Sequence, residues 1–121
     1  MGENANSLLV ILSSAPYAGS DVAWNALRLA DTAVESGVPT RLFLINEGVD
    51  TGRVNIAPPE GFFDLCKMLN DLAGKGVDVK YCKTCIDRCG IGTGDMTPAI
   101  KIGSMRELKD WVMDSGKVVT F

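Results

Sequence analysis

Three of the four cysteines cluster in one short segment, residues 82–89, and are the residues best suited to chemistry. Cys82, Cys85 and Cys89 directly follow an apolar run over residues 77–81. The sequence contains no histidine, which removes the commonest general base and the commonest nitrogen ligand for metals. Sulfur is therefore the atom expected to act on a substrate.

Basic side chains flank the cysteine segment. Lys80 and Lys83 stand on either side of Cys82, and Arg88 lies near the end of the segment. Cations and helix N-terminal N–H groups stabilise the thiolate, which is the nucleophilic form of cysteine. A thiolate at Cys82 could attack a persulfide and carry its outer sulfur, and Cys85 could resolve that intermediate as a disulfide or take the sulfur onward.

The same cysteines also fit two other interpretations. Cys82, Cys85 and Cys89 could bind zinc or iron, with Cys66 as the one available fourth thiolate, because structural zinc sites often use four cysteines. The spacing lacks the usual ferredoxin pattern of an iron–sulfur protein. The three residues could also be small side chains packed in a partly buried turn. The residue types leave these alternatives open, and only the metal alternative requires a bound cofactor.

Cys66 and Glu47 are two further candidates outside the cysteine segment. Cys66 falls on the apolar face of a helix expected over residues 62–73, between Phe62 and Leu69, which favours packing in the core. Glu47 is the acid placed directly at a strand end near the cysteines. It could accept a proton or orient a neighbouring group, or it could be a solvated loop residue.

Apolar runs alternate with amphipathic segments along the chain, which predicts a doubly wound α/β fold of the flavodoxin-like kind. We expect about five mostly parallel strands with helices on both faces. These form a single domain over residues 1–121, in which residues 1–6 are a flexible N-terminus. The strands are predicted over residues 8–12, 41–46, 77–81, 99–102 and 118–121, and the helices over residues 22–36, 62–73 and 104–114.

The expected parallel strands place their carboxyl ends at one edge of the sheet, where such folds hold their ligands. The cysteine segment follows the third strand, while the loop over residues 13–19 and the turn over residues 46–49 follow the first and second strands. We therefore expect all three connections to lie near one another.

The overall composition excludes several classes of partner. The chain has 121 residues and a net charge of -3, with acids and bases interspersed, so it has no basic stripe for nucleic acid. No apolar run approaches the roughly 20 residues of a membrane helix, and the N-terminus lacks the pattern of a signal peptide. We therefore expect a cytoplasmic protein, a compartment in which structural disulfides are uncommon.

Motifs spread over residues 7–121 resemble the DsrE/DsrF-like sulfur-relay family. The most specific motif is the cysteine segment followed by Gly90 and Ile91. The supporting features are Asn46-Glu47-Gly48-Val49, Ile102-Gly103-Ser104-Met105 with Leu108 and Trp111, and Lys117-Val118-Val119-Thr120-Phe121.

The resemblance implies a small protein with a parallel sheet that assembles into trimers or hexamers. Relay members of the family pass sulfur as a cysteine persulfide between donor and acceptor proteins, and their transfer cysteine matches Cys82. The second cysteine of many members matches Cys85. Cys89 occupies the position directly before Gly90 where the family usually has arginine, and here Arg88 precedes it.

We therefore expect a homo-oligomeric sulfur carrier in which Cys82 accepts sulfane sulfur and Cys85 is the second thiol. The supporting side chains are Lys80, Lys83, Arg88, Cys89 and Glu47. Whether the chain is itself a persulfide sulfurtransferase stays open. The alternatives are a module that binds metal through its cysteines and a non-catalytic subunit that assembles with an active paralogue.

The aromatic residues add an independent indication of assembly. Tyr17, Trp24, Trp111 and the Phe62–Phe63 pair cannot all be central in so small a core. Some of them are therefore expected at subunit contacts, where aromatic side chains are enriched.

Overall fold

Five parallel strands form one sheet in the computed structural model, which describes residues 5–121. The strand order is β4-β3-β2-β1-β5, and each neighbouring pair is parallel. The α/β fold with about five strands is therefore confirmed. Most of the predicted N-terminal segment lies outside the described residues. The strands are β1 (Leu8–Leu12), β2 (Thr40–Leu44), β3 (Asp78–Cys82), β4 (Lys101–Gly103) and β5 (Lys117–Thr120).

Helices cover both faces of this sheet. The chain moves from β1 through β4 in one direction and then returns to place β5 on the other side of β1. Because such crossovers are right-handed, the helix before β5 packs on the face opposite to the helices that follow β1 and β2. The helices are α1 (Val22–Glu35), α2 (Leu65–Gly74), α3 (Lys83–Arg88) and α4 (Met105–Asp114), with 3-10 helices over Asn46–Gly52 and Thr93–Asp95.

The two central strands are apolar because they are covered on both faces. In β2, Leu42 and Phe43 are fully buried although their side chains point to opposite faces. Phe43 meets the edge of the Trp111 ring of α4, with ring centroids 6.1 Å apart. The unbroken apolar runs of the sequence thus correspond to buried strands. In the part of the chain that the structure describes, no helix is long and apolar enough to cross a membrane.

Helix α2 begins later than predicted, which changes the environment of three residues. Asp64 caps the helix by accepting a hydrogen bond from the Lys67 N–H at 3.1 Å. Phe62 and Phe63 precede this cap and are 57% and 62% exposed, so the inward position expected for Phe62 is wrong. Cys66 lies in the first turn and is half-buried, outside the main hydrophobic cluster expected to hold it.

The first turn of α4 is tied to β3 through a charged pair. Ser104 Oγ caps the helix by accepting a hydrogen bond from the Glu107 N–H, and the Glu107 side chain accepts one from the Ser104 N–H, so a capping box is present. The other oxygen of Glu107 accepts a hydrogen bond from Lys80 Nζ at 2.7 Å. Gly103 leaves room for this side chain, since a Cβ there would lie 3.2 Å from the Cβ of Lys80.

The Lys80–Glu107 pair makes the stability of the fold sensitive to acid. The hydrogen bond from Lys80, and then that from the Ser104 N–H, lower the pKa of Glu107. Because the pKa of Glu107 is lower in the folded than in the unfolded state, its ionisation stabilises the fold at pH values above the ordinary glutamate pKa of about 4.3. This stabilisation is lost as the pH falls through the lowered folded-state pKa. We expect Glu107→Gln to be less stable than the wild type at neutral pH, and to lose less stability than the wild type when the pH is lowered.

Urea unfolding between neutral and strongly acidic pH would measure this change. Glutamine at this position keeps the capping box, so the variant isolates the effect of the charge. Glu60→Gln, at an exposed loop position, is the matched control. Parallel stability curves for wild type and Glu107→Gln would contradict the assigned role of the pair.

Candidate functional site

The cysteine segment begins where β3 passes directly into α3. Cys82 is the last residue of the strand and also the N-cap of the helix. Its extended backbone (φ -72°, ψ 117°) lets Sγ accept a hydrogen bond from the Cys85 N–H at 3.3 Å. A sulfur atom thus takes the place of the usual serine or aspartate oxygen at a helix start.

Gly90 and Ile91 close this short helix. Gly90 has a φ of 72° and donates its N–H to the Asp87 carbonyl at 3.2 Å. Ile91 donates its N–H to the Ile86 carbonyl at 2.9 Å, and both isoleucine side chains are buried. This is the pattern of a Schellman motif with its apolar contact. Because six residues are too few for a stable isolated helix, the two end structures hold α3 and its cysteines in place.

The turn after β2 provides a second hydrogen-bond donor to the cysteines. The Asn46 N–H donates to Cys85 Sγ at 3.2 Å, so the turn lies beside the cysteine segment as predicted. Asn46 has a φ of 53°, a left-handed conformation that asparagine tolerates better than most residues. Gly48 packs this turn onto β1, since a Cβ there would lie 2.1 Å from the Leu12 carbonyl oxygen.

The loop over residues 13–19 is held by other contacts. Ser13 Oγ donates to the Phe121 carbonyl at 2.9 Å. The Tyr17 hydroxyl donates to the Phe63 carbonyl and accepts the Leu65 N–H, each at 2.8 Å. Because β2 lies between β1 and β3, this loop is displaced from the cysteine segment along the sheet edge.

The environment of Cys85 favours its protonated thiol. Burial raises the pKa of Cys85, and the hydrogen bond to Cys82 and the charges of Cys82 and Cys89 raise it further. The hydrogen bond from the Asn46 N–H acts in the opposite direction. Since an ordinary thiol already has a pKa of about 8.5, Cys85 carries its proton at neutral pH.

The three cysteines differ in their access to solvent. Cys82 is buried, with 4% of its surface exposed, and belongs to the hydrophobic core. Cys85 is partly buried and Cys89 is exposed. All are free thiols, and the Cys89 N–H donates to the Cys85 carbonyl at 3.3 Å at the end of α3. The segment therefore presents a series of thiols from the core to the surface.

The predicted supporting lysines each have a carboxylate partner. Lys83 pairs with Asp87 along the exposed side of α3 at 2.7 Å. Lys80 pairs with Glu107, and its Nζ lies 5.1 Å from the centre of the Trp111 ring. The hydrogen bonds seen at the sulfurs of Cys82 and Cys85 come instead from backbone N–H groups, which charge patterns in the sequence do not reveal.

Arg88 and Glu47 are both exposed, at the end of α3 and in the first turn of the 3-10 helix. Within residues 5–121, no ion pair is seen for either of them. Neither the donor role of Asn46 nor the supporting role of Gly48 was predicted from the sequence. The pattern that could have revealed them is asparagine, which tolerates a left-handed backbone, followed by glycine at a strand end.

The three cysteines do not form a metal site among the residues that the structure describes. No group of three Cys, Asp or Glu side chains lies close enough together there to hold a metal ion. Cys66, the proposed fourth ligand, is on α2. The metal alternative therefore finds no ligand set in this part of the chain.

The left-handed backbone at Asn46 can be tested with a pair of substitutions. A β-branched side chain is strongly disfavoured at positive φ, with a cost of about 1–2 kcal/mol, whereas glycine adopts this conformation freely. We expect Asn46→Val to lower the free energy of unfolding by about that amount relative to Asn46→Gly. Equal stabilities of the two variants in urea unfolding would contradict the left-handed turn.

Comparison with known proteins gives relatives along nearly the whole chain. The DsrE/DsrF-like family model matches residues 6–121. Protein YchN of Escherichia coli strain K12 is 38% identical over 116 residues, which cover 94% of this chain and 97% of that protein. An uncharacterized protein of Methanopyrus kandleri is 32% identical over 119 residues, covering 98% of this chain and 97% of that protein.

Solved structures also resemble this chain along nearly its whole length. The crystal structure of E. coli YchN matches with a TM-score of 0.87 at 37% identity, covering 96% of this chain and 99% of that one. A protein of unknown function from Methanobacterium thermoautotrophicum, with a TM-score of 0.72 and 12% identity over 95% of this chain and 99% of that one, shares the fold alone. The chain therefore belongs to the DsrE/DsrF-like family, whose members are generally related to sulfur relay.

Proposed function

We propose that the protein is a sulfur carrier that holds sulfane sulfur as a persulfide on Cys82, with Cys85 as the second thiol. The observation that supports this most directly is the pairing of the two cysteines at one strand end. The Cys85 N–H donates to Cys82 Sγ, and the Asn46 N–H donates to Cys85 Sγ. Backbone donors aimed at sulfur stabilise the negative charge of a thiolate or a persulfide anion.

The loading step is a thiol exchange on a sulfane donor. The Cys82 thiolate attacks the outer sulfur of a donor persulfide, a new S–S bond forms, and the donor's inner sulfur leaves as a thiolate. The Cys85 N–H faces Cys82 Sγ, the inner sulfur of the persulfide, which leaves as a thiolate when an acceptor attacks the outer sulfur. Transfer to an acceptor thiol repeats the same exchange and regenerates Cys82.

The protonated state of Cys85 protects the persulfide. If Cys85 attacked the inner sulfur of a Cys82 persulfide, the products would be a Cys82–Cys85 disulfide and hydrogen sulfide. A thiol that keeps its proton is a weak nucleophile, because the thiolate is the attacking form. The burial and the neighbouring charges that raise the pKa of Cys85 therefore slow this side reaction and favour transfer to an acceptor.

The proposed setting follows from the family. Sulfur relay in related proteins passes through donor and acceptor proteins, so we propose protein partners of both kinds, in the cytoplasm. We also propose a homo-oligomer, a trimer or hexamer. Phe63 stacks on Trp24 with ring centroids 5.2 Å apart, and Phe62 meets the edge of Tyr17 at 6.4 Å. The exposed rings of Phe62 and Phe63 thus form, with two partly buried rings, an aromatic patch suited to a second copy.

Native mass spectrometry tests the assembly. We expect a trimeric or hexameric mass for the wild type at micromolar concentration, and a smaller species for Phe62→Ser/Phe63→Ser because the substitutions remove apolar contact area. The matched control is Val54→Ser, which also removes an exposed apolar side chain. A monomeric wild type would contradict the proposed homo-oligomer.

The carrier role is tested by intact-protein mass spectrometry after treatment with inorganic polysulfide. We expect the wild type to gain one sulfur atom that maps to Cys82 and is removed by a reductant. Cys82→Ser should lose this adduct, and Cys66→Ser, which changes the thiol on α2, should keep it. The proposal is wrong if Cys82→Ser is persulfidated as readily as the wild type at the remaining cysteines and still delivers sulfur to an acceptor thiol.

A further inference from the structure

We propose that Cys89 is the entry thiol of this site. Cys89 takes sulfane sulfur from a dissolved polysulfide or a donor protein, and the sulfur then passes through Cys85 to Cys82. This inference rests on the proposed carrier function and specifies how its buried cysteine is loaded. The three thiols lie on one short element, at the start, in the middle and at the end of α3.

The burial of Cys82 creates the need for an entry thiol. Exchange requires the attacking sulfur to approach in line with the S–S bond of the donor, so access limits its rate. Cys82 is 4% exposed and packs in the core, whereas Cys89 is exposed. A donor as large as a protein persulfide therefore meets Cys89 before Cys82. Cys85, with intermediate exposure, lies between them.

The helical spacing suits transfer of a persulfide from Cys89 to Cys85. Residues four apart on a helix have Cβ atoms about 5–6 Å apart, whereas a disulfide needs about 3.5–4.5 Å. A direct Cys85–Cys89 disulfide is therefore disfavoured. A persulfide extends one side chain by an S–S bond of about 2.0 Å, which brings its outer sulfur within reach of the other cysteine.

The transfer chemistry is balanced without an added oxidant. The Cys89 thiolate attacks the terminal sulfur of a polysulfide, and the polysulfide shortened by one atom leaves. Cys85 then attacks the outer sulfur of the Cys89 persulfide through its minor thiolate form, and the departing Cys89 thiolate takes up the proton that Cys85 released. Cys82 takes the sulfur from Cys85 in the same way, and Cys85 recovers a proton. Each step breaks one S–S bond and forms another.

The environment of Cys85 fits an intermediate position. The Cys85 N–H donates to Cys82 Sγ at 3.3 Å, and the Cys85 carbonyl accepts the Cys89 N–H at 3.3 Å, so Cys85 is joined to both neighbours. A proton held on Cys85 is available to the thiolate that leaves when sulfur moves. The Asn46 N–H at 3.2 Å then stabilises the negative charge that develops on Cys85 sulfur during the exchange.

The test follows the rate and site of sulfur loading by quenched-flow alkylation and peptide mass spectrometry. Two separate series use inorganic polysulfide and a protein-bound persulfide as the donor. Each series compares the wild type with Cys89→Ser, Cys85→Ser and the control Cys66→Ser. We expect Cys89→Ser to load Cys82 about tenfold more slowly or worse, since only the exposed thiol exchanges freely. Cys85→Ser should accumulate sulfur on Cys89, and Cys66→Ser should match the wild type.

The outcomes separate this inference from the carrier proposal. If Cys89→Ser loads Cys82 at the wild-type rate from both donors, the entry role is wrong and the carrier role stands. If Cys85→Ser passes sulfur to Cys82 as fast as the wild type, the intermediate role of Cys85 is wrong. If the wild type takes no sulfur on Cys82, both proposals are wrong. Near-ultraviolet circular dichroism confirms that the compared variants are folded.

Discussion

The hydrogen bond from the Cys85 N–H to Cys82 Sγ is the interaction on which the arrangement of the site depends. It makes one residue both the end of β3 and the cap of α3, so the strand fixes where the helix starts. A cap contributes about 1 kcal/mol to a helix, which matters for a helix of six residues. The sulfur atom of Cys82 that would react is therefore also the atom that stabilises the start of α3.

Buried packing around this junction limits what the cysteines can do. The Asn46 turn reaches Cys85 because Gly48 lets the 3-10 helix lie against β1. On the neighbouring strand, Gly103 leaves space for Lys80 to reach Glu107. Both glycines are needed because backbone or side-chain atoms approach them closely, and not because the chain must be flexible there. The cysteine segment is thus held from β2 and β3, while its far end at Cys89 stays in solvent.

Backbone amides, rather than lysine side chains, contact the sulfurs in this structure. The charges of Lys80 and Lys83 are taken up by Glu107 and Asp87. A fixed N–H donor has no side-chain entropy to lose and does not exchange its partner with a nearby carboxylate. For a carrier that must stabilise sulfur anions repeatedly, such donors give the same geometry in each cycle.

The sequence by itself determined the strand and helix pattern and the family, because apolar runs, the Ser104–Glu107 capping box and the Cys-Gly-Ile motif are local signals. It also placed Cys82 at a strand end and the turn at Asn46 nearby. The tertiary structure decided the late start of α2, the exposure of Phe62 and the half-buried position of Cys66. It also decided the partners of the lysines and the burial of Cys82. These features depend on side chains that meet across the sheet, and spacing along one segment does not encode which residues will meet.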